Sequence, residues 1–316
     1  LEGGAGSDII NAGIGNDLII GGSSTYLPEG GADGNDTITA AEGNDIVLGD
    51  DARVLNSSNQ AVISIAQLST IETNGGSGAD TIFGGAGNDI IFGGGGADSL
   101  IGDADGVSGD DIIVGDEGSW SATQIRAIAG SGGADTITGS GGNDILLGGD
   151  GNDTISGDLG EDILVGDNGQ ITRTQAGVVT RIQTASPNTG GNDTLSGGDN
   201  ADVILGGSGD DGITGGTDNA IDILLGDNGV VVRADGSPEA NDIYSTDESI
   251  GGADTITGGL GNDVIMGGAG ADQLTANEGD DIVLGDSGSI TRNAANAIET
   301  IETRVSTQGG DDTIAG

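Results

Sequence analysis

A nine-residue string, Gly-Gly-x-Gly-x-Asp-x-U-x with U a large aliphatic, recurs along this 316-residue chain and constrains its fold more than any other feature. It stands as GGAGNDIIF at 84–92 and as GGLGNDVIM at 258–266. Aspartate holds the sixth place 21 times, and in every case the residue two places later is Ile, Leu or Val. A fixed short period of this kind marks a solenoid, in which each repeat stacks on its neighbour. The glycines permit the positive φ and close backbone approach of a tight turn. The x-U-x half suits a short strand, with U on one face and its flanks on the other. Flexible glycine-rich linker would not keep this register, so low-complexity sequence is rejected as a reading.

Composition says what can hold such a chain together. With 68 Gly, two Phe, one Trp and one Met, it lacks the bulky side chains of an ordinary globular core. Fifty-two acids against seven bases give a formal charge of −45, which disfavours a compact state without cations and excludes nucleic acid and anionic membrane as partners. All seven bases are Arg, and Lys, His and Cys are absent. That removes disulfides, the usual zinc, copper, haem and iron–sulfur sites, thiol nucleophiles and the Ser–His triad. Carboxylate and carbonyl oxygens remain, and these suit Ca²⁺. No stretch is long and apolar enough to insert in a membrane. Adjacent acids such as Asp110-Asp111, Asp210-Asp211 and Asp280-Asp281 resemble a glycosidase pair, but that chemistry needs one carboxyl set apart in a cleft. Here nothing singles out one pair, and no enzyme activity is expected.

These motifs resemble the RTX, or haemolysin-type calcium-binding, nonapeptide family over nearly the whole chain apart from its insertions. The resemblance implies an all-β, right-handed parallel β-roll. The GGxGxD half would be a turn that binds Ca²⁺, the x-U-x half a strand, and two nonapeptides one coil. Each ion would sit between the loops of successive coils. The metal-binding residues implied are Asp8, Asp17, Asp36 and Asp45; Asp80, Asp89, Asp98 and Asp111; Asp135, Asp144, Asp153 and Asp162; Asp193, Asp202, Asp211 and Asp222; Asp254, Asp263, Asp272 and Asp281; and Asp312. One ion for each would bring 21 × 2 = +42, close to cancelling the −45. The resemblance further implies type I secretion in an unfolded state, with folding in calcium-rich surroundings at the cell surface or beyond it.

A second period overlies the first. The aspartates fall in fours, and the first of each successive group lies at 80, 135, 193, 254 and 312, spacings of 55, 58, 61 and 58. The chain is thus expected to be one continuous array over 1–316, with cassettes at about 1–74, 75–130, 131–189, 190–250 and 251–308 and another starting at 309–316. Insertions are read at 20–32, 51–74, 117–130, 168–189, 228–250 and 287–307. The first follows no fourth repeat but interrupts the first cassette around Tyr26. Most groups end in Gly-Asp-x-Gly or a relative before their insertion. The steps to Asp36, Asp111 and Asp222 are stretched, which puts the ion sites there in question. Opening at Leu1 and closing at Gly316 in mid-motif, the chain is expected to be a piece of a longer array.

The insertions hold all seven Arg, together with Trp120, Tyr26 and Tyr244. Segments 171–184, 230–246 and 289–305 are β-branched and alternating around turn residues, and read as hairpins; 119–130 is shorter and less clear. In second and fourth repeats the residues one and three after the Asp are hydrophobic in all ten cases, as with Ile90 and Phe92 or Ile163 and Val165. In first and third repeats the same places are mostly Thr or Ser, as with Thr136 and Thr138. One sheet would be polar outside, and the other would carry an apolar stripe too large to leave bare. Two coils advance about 9.6 Å, the width of a two-stranded hairpin. Consecutive hairpins are therefore expected to tile into a third β layer over the apolar sheet; mobile loops with the apolar face docking a partner are the alternative.

The expected function is that of a calcium-binding structural rod in a secreted surface, adhesin, filament or surface-layer protein, with calcium and neighbouring copies or other surface components as partners. Alternatives are a calcium-triggered folding module of a toxin or hydrolase and, through the Thr ranks, ice binding.

Overall fold

Glycine-rich turns alternating with strands of three to six residues wind the chain into a parallel β-roll in the computed structural model. The structure describes residues 1–23, 34–56, 65–70, 78–104, 107–130, 132–233, 241–293, 297–304 and 309–316. Strands after alternate turns form an eleven-stranded parallel sheet, from Ile9–Ile14 to Thr313–Ala315. The intervening strands form a ten-stranded parallel sheet, from Leu18–Ile20 to Ile282–Asp286. Registers are strict, with Ile137 beside Ile155 and Leu146 beside Leu164. Because side chains alternate with a period of two, this register puts every U residue between the sheets. Eighteen of the 21 are at most 1 % exposed. The other three, Ile10, Val283 and Ile314, lie in terminal coils with a neighbour on one side only, and Ile314 is 53 % exposed.

The third layer is present. Five hairpins contribute Ala52–Asn56 with Ile65–Thr70, Gly118–Ser121 with Gln124–Ala127, Gly169–Arg173 with Val179–Thr184, Gly229–Arg233 with Asn241–Ser245, and Gly288–Arg292 with Ile298–Thr303. Each pairs with the next to make one ten-stranded antiparallel sheet, as the matching of hairpin width to two coils requires. The short insertion at 119–130 is a hairpin like the others. Tyr26 and most of the insertion read at 20–32 lie outside the described residues.

One side-chain rank crosses the hairpin sheet from Trp120 through Ile125, Ile171, Ile182, Val231 and Ile243 to Ile290. It packs on Leu48, Phe92, Val114, Leu147, Val165, Leu205, Leu225 and Met266 of the ten-stranded sheet. Sixteen of that sheet's 20 outward apolar side chains are buried. Full burial of each is worth about 1.5–3 kcal/mol, so the cover is a second core, separate from the one between the parallel sheets. The glycine that starts the first strand of four of the five hairpins fits this contact: a Cβ on Gly229 would lie 2.3 Å from Leu225 Cδ2, and one on Gly288 2.4 Å from Leu284 Cδ2. Arg173 ties neighbouring hairpins, its guanidinium 5.9 Å from the Trp120 ring centroid and donating to Ser121 O at 3.0 Å.

The eleven-stranded sheet keeps its outer face bare and hydroxyl-rich, with Thr136, Thr154, Thr194 and Thr255 exposed and Phe83 breaking the rank at 39 % exposure. Among the described residues no helix is long and apolar enough to cross a membrane.

Candidate metal centre

The turn Gly148–Asp153 shows how the nonapeptide builds its site. Gly149 and Gly151 take φ of 121° and 135°, the left-handed conformations that reverse the chain within a few residues. Gly151 must also lack a side chain, since a Cβ there would fall 1.7 Å from the Gly133 carbonyl oxygen of the preceding coil. This tight reversal turns the Asp153 carboxylate back into the stack. Its Oδ1 accepts the Asp135 N–H at 2.8 Å, while the Asp153 N–H donates to Asp193 Oδ1 at 2.8 Å. Oδ2 is buried and accepts nothing.

That free oxygen does not stand alone. A Cβ on Gly148 would lie 2.3 Å from Asp153 Oδ2 and 2.1 Å from the Gly166 carbonyl oxygen, so the two oxygens converge on space that only glycine leaves open. The same pair closes on Gly93 from Asp98 and Gly115, on Gly206 from Asp211 and Gly226, and on Gly267 from Asp272 and Gly285. Among the described residues no three acidic side chains gather around one point. An ion held here therefore completes its shell with backbone carbonyls.

All 21 aspartates singled out by sequence lie in this arrangement, sorted into two rows. One row runs Asp8, Asp36, Asp80, Asp98, Asp135, Asp153, Asp193, Asp211, Asp254, Asp272, Asp312. The other runs Asp17, Asp45, Asp89, Asp111, Asp144, Asp162, Asp202, Asp222, Asp263, Asp281. Each N–H donates to the next carboxylate at 2.7–3.1 Å, giving 19 rungs without a gap. The stretched steps do not break the rows: Asp111 and Asp222 keep both rungs. Seventeen of the 21 carry a buried Oδ2 with no hydrogen-bond partner.

Buried, unpaired carboxylate oxygens are costly unless a cation or proton meets them. Burial, with the Asp135 charge next, pushes the Asp98 carboxyl up to about 9. Burial also lifts Asp153 to about 9, and lifts Asp211 to about 10, against one lowering contribution from the backbone N–H each accepts. The donors are all hard oxygens, carboxylate and carbonyl, and pre-aligned, and they fit Ca²⁺.

Two features escaped the sequence reading. The residue before the ladder Asp forms a second column of opposite sense: Asn192 N–H donates to Asn152 Oδ1 at 2.9 Å and Asp210 N–H to Asn192 Oδ1 at 3.1 Å. Coils are thus bonded in both directions, and the recurrence of Asn in GND was the available signal. The second is the burial of the Asp in the Gly-Asp pair before four of the five hairpins, Asp50, Asp116, Asp167 and Asp227. Burial, then the Asp135 charge, pushes Asp116 up to about 10, and a cation beside Asp135 would remove that second cause.

Stacked glycine turns presenting a row of cation-seeking carboxylates define a calcium-binding β-roll. The sequence pattern of the RTX calcium-binding nonapeptide repeat, in four copies, matches residues 1–25, 31–52, 74–106, 129–164, 188–222 and 257–289, more than half of the chain. The chain belongs to this family. It is a calcium-binding, non-catalytic repeat domain of a secreted, extracellular protein. A comparison with curated proteins finds no match.

Proposed function

We propose that the chain is a calcium-set rod within a surface, adhesin, filament or surface-layer protein, built from cassettes of four turns and a hairpin. The 21 ladder aspartates are the proposed ligands. The observation that carries this reading is the unbroken pair of rows, 19 rungs in which one carboxylate oxygen fixes the neighbouring coil, while in 16 of them the accepting carboxylate keeps its other oxygen buried with no hydrogen-bond partner. An ion between successive turns both neutralises them and links them, so rigidity follows calcium. The continuous hairpin sheet adds a third ladder of backbone hydrogen bonds along the same axis, which supports a load-bearing role. Neighbouring copies or other surface components are the proposed partners.

Eleven strands at about 4.8 Å give a rod roughly 50 Å long. Small-angle scattering tests the reading. In calcium the radius of gyration should be about 20 Å, and in chelator it should rise toward about 60 Å as the charged chain opens. An unchanged radius in chelator would rule out calcium as the setting agent.

A further inference from the structure

Each hairpin interrupts a turn of the row that starts at Asp8, between that turn's second and third residues. Such a cut separates the leading Gly from the Gly-x-Asp half that carries the ladder carboxylate, and something must hold the two halves together. At every one of these exits the second residue is Asp: Asp50, Asp116, Asp167, Asp227 and Asp286. In many uninterrupted turns the second residue is left-handed even when it is not Gly, with φ of 83° at Ser140, 71° at Asp158 and 72° at Asn277. None of the exit aspartates has a positive φ. The altered backbone sends the chain outward and leaves the carboxylate inside, 9 % exposed at Asp50, 0 % at Asp116, 2 % at Asp167 and 5 % at Asp227.

At the four exits followed by a complete coil, these carboxylates bind alike. One oxygen accepts the N–H of the fourth residue of the severed turn: Gly78 to Asp50 at 3.2 Å, Gly133 to Asp116 at 3.3 Å, Gly191 to Asp167 at 2.9 Å and Gly252 to Asp227 at 3.0 Å. The other accepts the N–H of the third residue of the next turn in the row: Gly95 to Asp50 at 2.7 Å, Asp150 to Asp116, Ser208 to Asp167, and Ala269 to Asp227. The chain re-enters on glycines that leave room, since a Cβ on Gly132, Gly190 or Gly251 would lie 1.9 Å from the carboxylate. The ladder aspartates differ: most keep one oxygen free.

We propose that Asp50, Asp116, Asp167 and Asp227 are clasps, not calcium ligands: they rejoin each severed turn, tie it to the next coil, and so position the hairpin over the apolar sheet. Both oxygens are engaged by charge-assisted bonds to amides, which leaves none facing an ion. Gly-Asp stands at every turn that a hairpin severs but does not suffice for one, since Asp158 follows Gly157 in an uninterrupted turn with a φ of 71°. The contrast rests on the calcium reading of the ladder, but the two claims fail separately.

The test uses the full chain in calcium, with Asp227→Asn and Asp167→Asn against the ladder variant Asp202→Asn. Bound calcium is counted by equilibrium dialysis, and amide exchange is followed residue by residue. Asp227→Asn should keep the wild-type ion count while exchange at Gly252 or Ala269, one of which loses its acceptor, speeds by roughly tenfold or more. Asp202→Asn should lose calcium and leave the hairpin strands Gly229–Arg233 and Asn241–Ser245 protected as in wild type. Loss of an ion in both clasp variants, or wild-type exchange in both, overturns the proposal. Asp227→Gly, which restores the uninterrupted pair without adding an amide, should reproduce the faster exchange and guards against misfolding of the Asn variants. An Asp202→Asn protein with its full complement of calcium would refute the ladder reading and leave the clasps to be judged on exchange alone.

Discussion

Asp202→Asn removes one ladder carboxylate from the middle of a row with little change in shape. Asp202 is buried, its Oδ1 accepts the Asp162 N–H at 2.8 Å, and its own N–H donates to Asp222 Oδ1 at 2.9 Å. Asn keeps both bonds, because its carbonyl oxygen can take the place of Oδ1. It replaces the free Oδ2 by an NH₂ group, which cannot ligate a cation. The cost is therefore that of the ion alone. Extracellular calcium modules bind with dissociation constants of about 10⁻⁴–10⁻³ M, so at 10 mM calcium each ion contributes roughly 1.4–2.7 kcal/mol through mass action. The signature is its dependence on concentration: the deficit should grow by about 1.4 kcal/mol per decade of calcium for each ion lost. Native-state amide exchange in the turn 197–202, measured at several free calcium levels, reads this local stability without assuming that the whole array unfolds at once. A deficit that stays constant across calcium levels would show that the carboxylate serves only as an amide acceptor.

Acid should partly stand in for calcium. Burial holds protons on the ladder carboxyls of the folded roll far above their ordinary 3.8, with Asp135 at about 7, Asp98 at about 9 and Asp211 at about 10. These raised groups stabilise the metal-free fold below about pH 4 and lose that contribution as pH climbs through 7 to 10. Circular dichroism in chelator should accordingly show β structure gained on acidification from pH 8 to below 4, and a flat profile would contradict the burial argument. Deleting the hairpin strands Gly169–Arg173 and Val179–Thr184 should uncover Leu147, Val165 and Leu205 and raise binding of a hydrophobic dye in calcium; no rise would refute the cover. Gly229→Ala should cost about 1–3 kcal/mol by driving a methyl into Leu225. Gly212→Thr should be neutral or stabilising by up to about 1 kcal/mol, since its Cβ position is open and its rank neighbours Thr194 and Thr255 show the site accepts Thr. Thermal melts at fixed calcium compare the two, and the opposite order would refute the packing assignment.

The nonapeptide period determined by itself the solenoid, the inward U residues and the 21 ladder aspartates, because turn conformation and strand alternation are local properties carried by each repeat. The apolar flanks of second and fourth repeats, with the width of a hairpin, were enough to foretell the third layer. Only the tertiary structure decided which carboxylate oxygen is spent on the neighbouring coil and which is free, and that the stretched steps at Asp111 and Asp222 leave the rows whole. It alone separated ladder from clasp. Asp227 and Asp254 are both acids near a glycine pair, yet Asp254 meets the neighbouring rung at Asp211, whereas Asp227 reaches Gly252 and Ala269, 25 and 42 residues on. Those separations are set by the hairpin and the coil, so the partner of each carboxylate is a consequence of stacking, and one-dimensional spacing does not contain it.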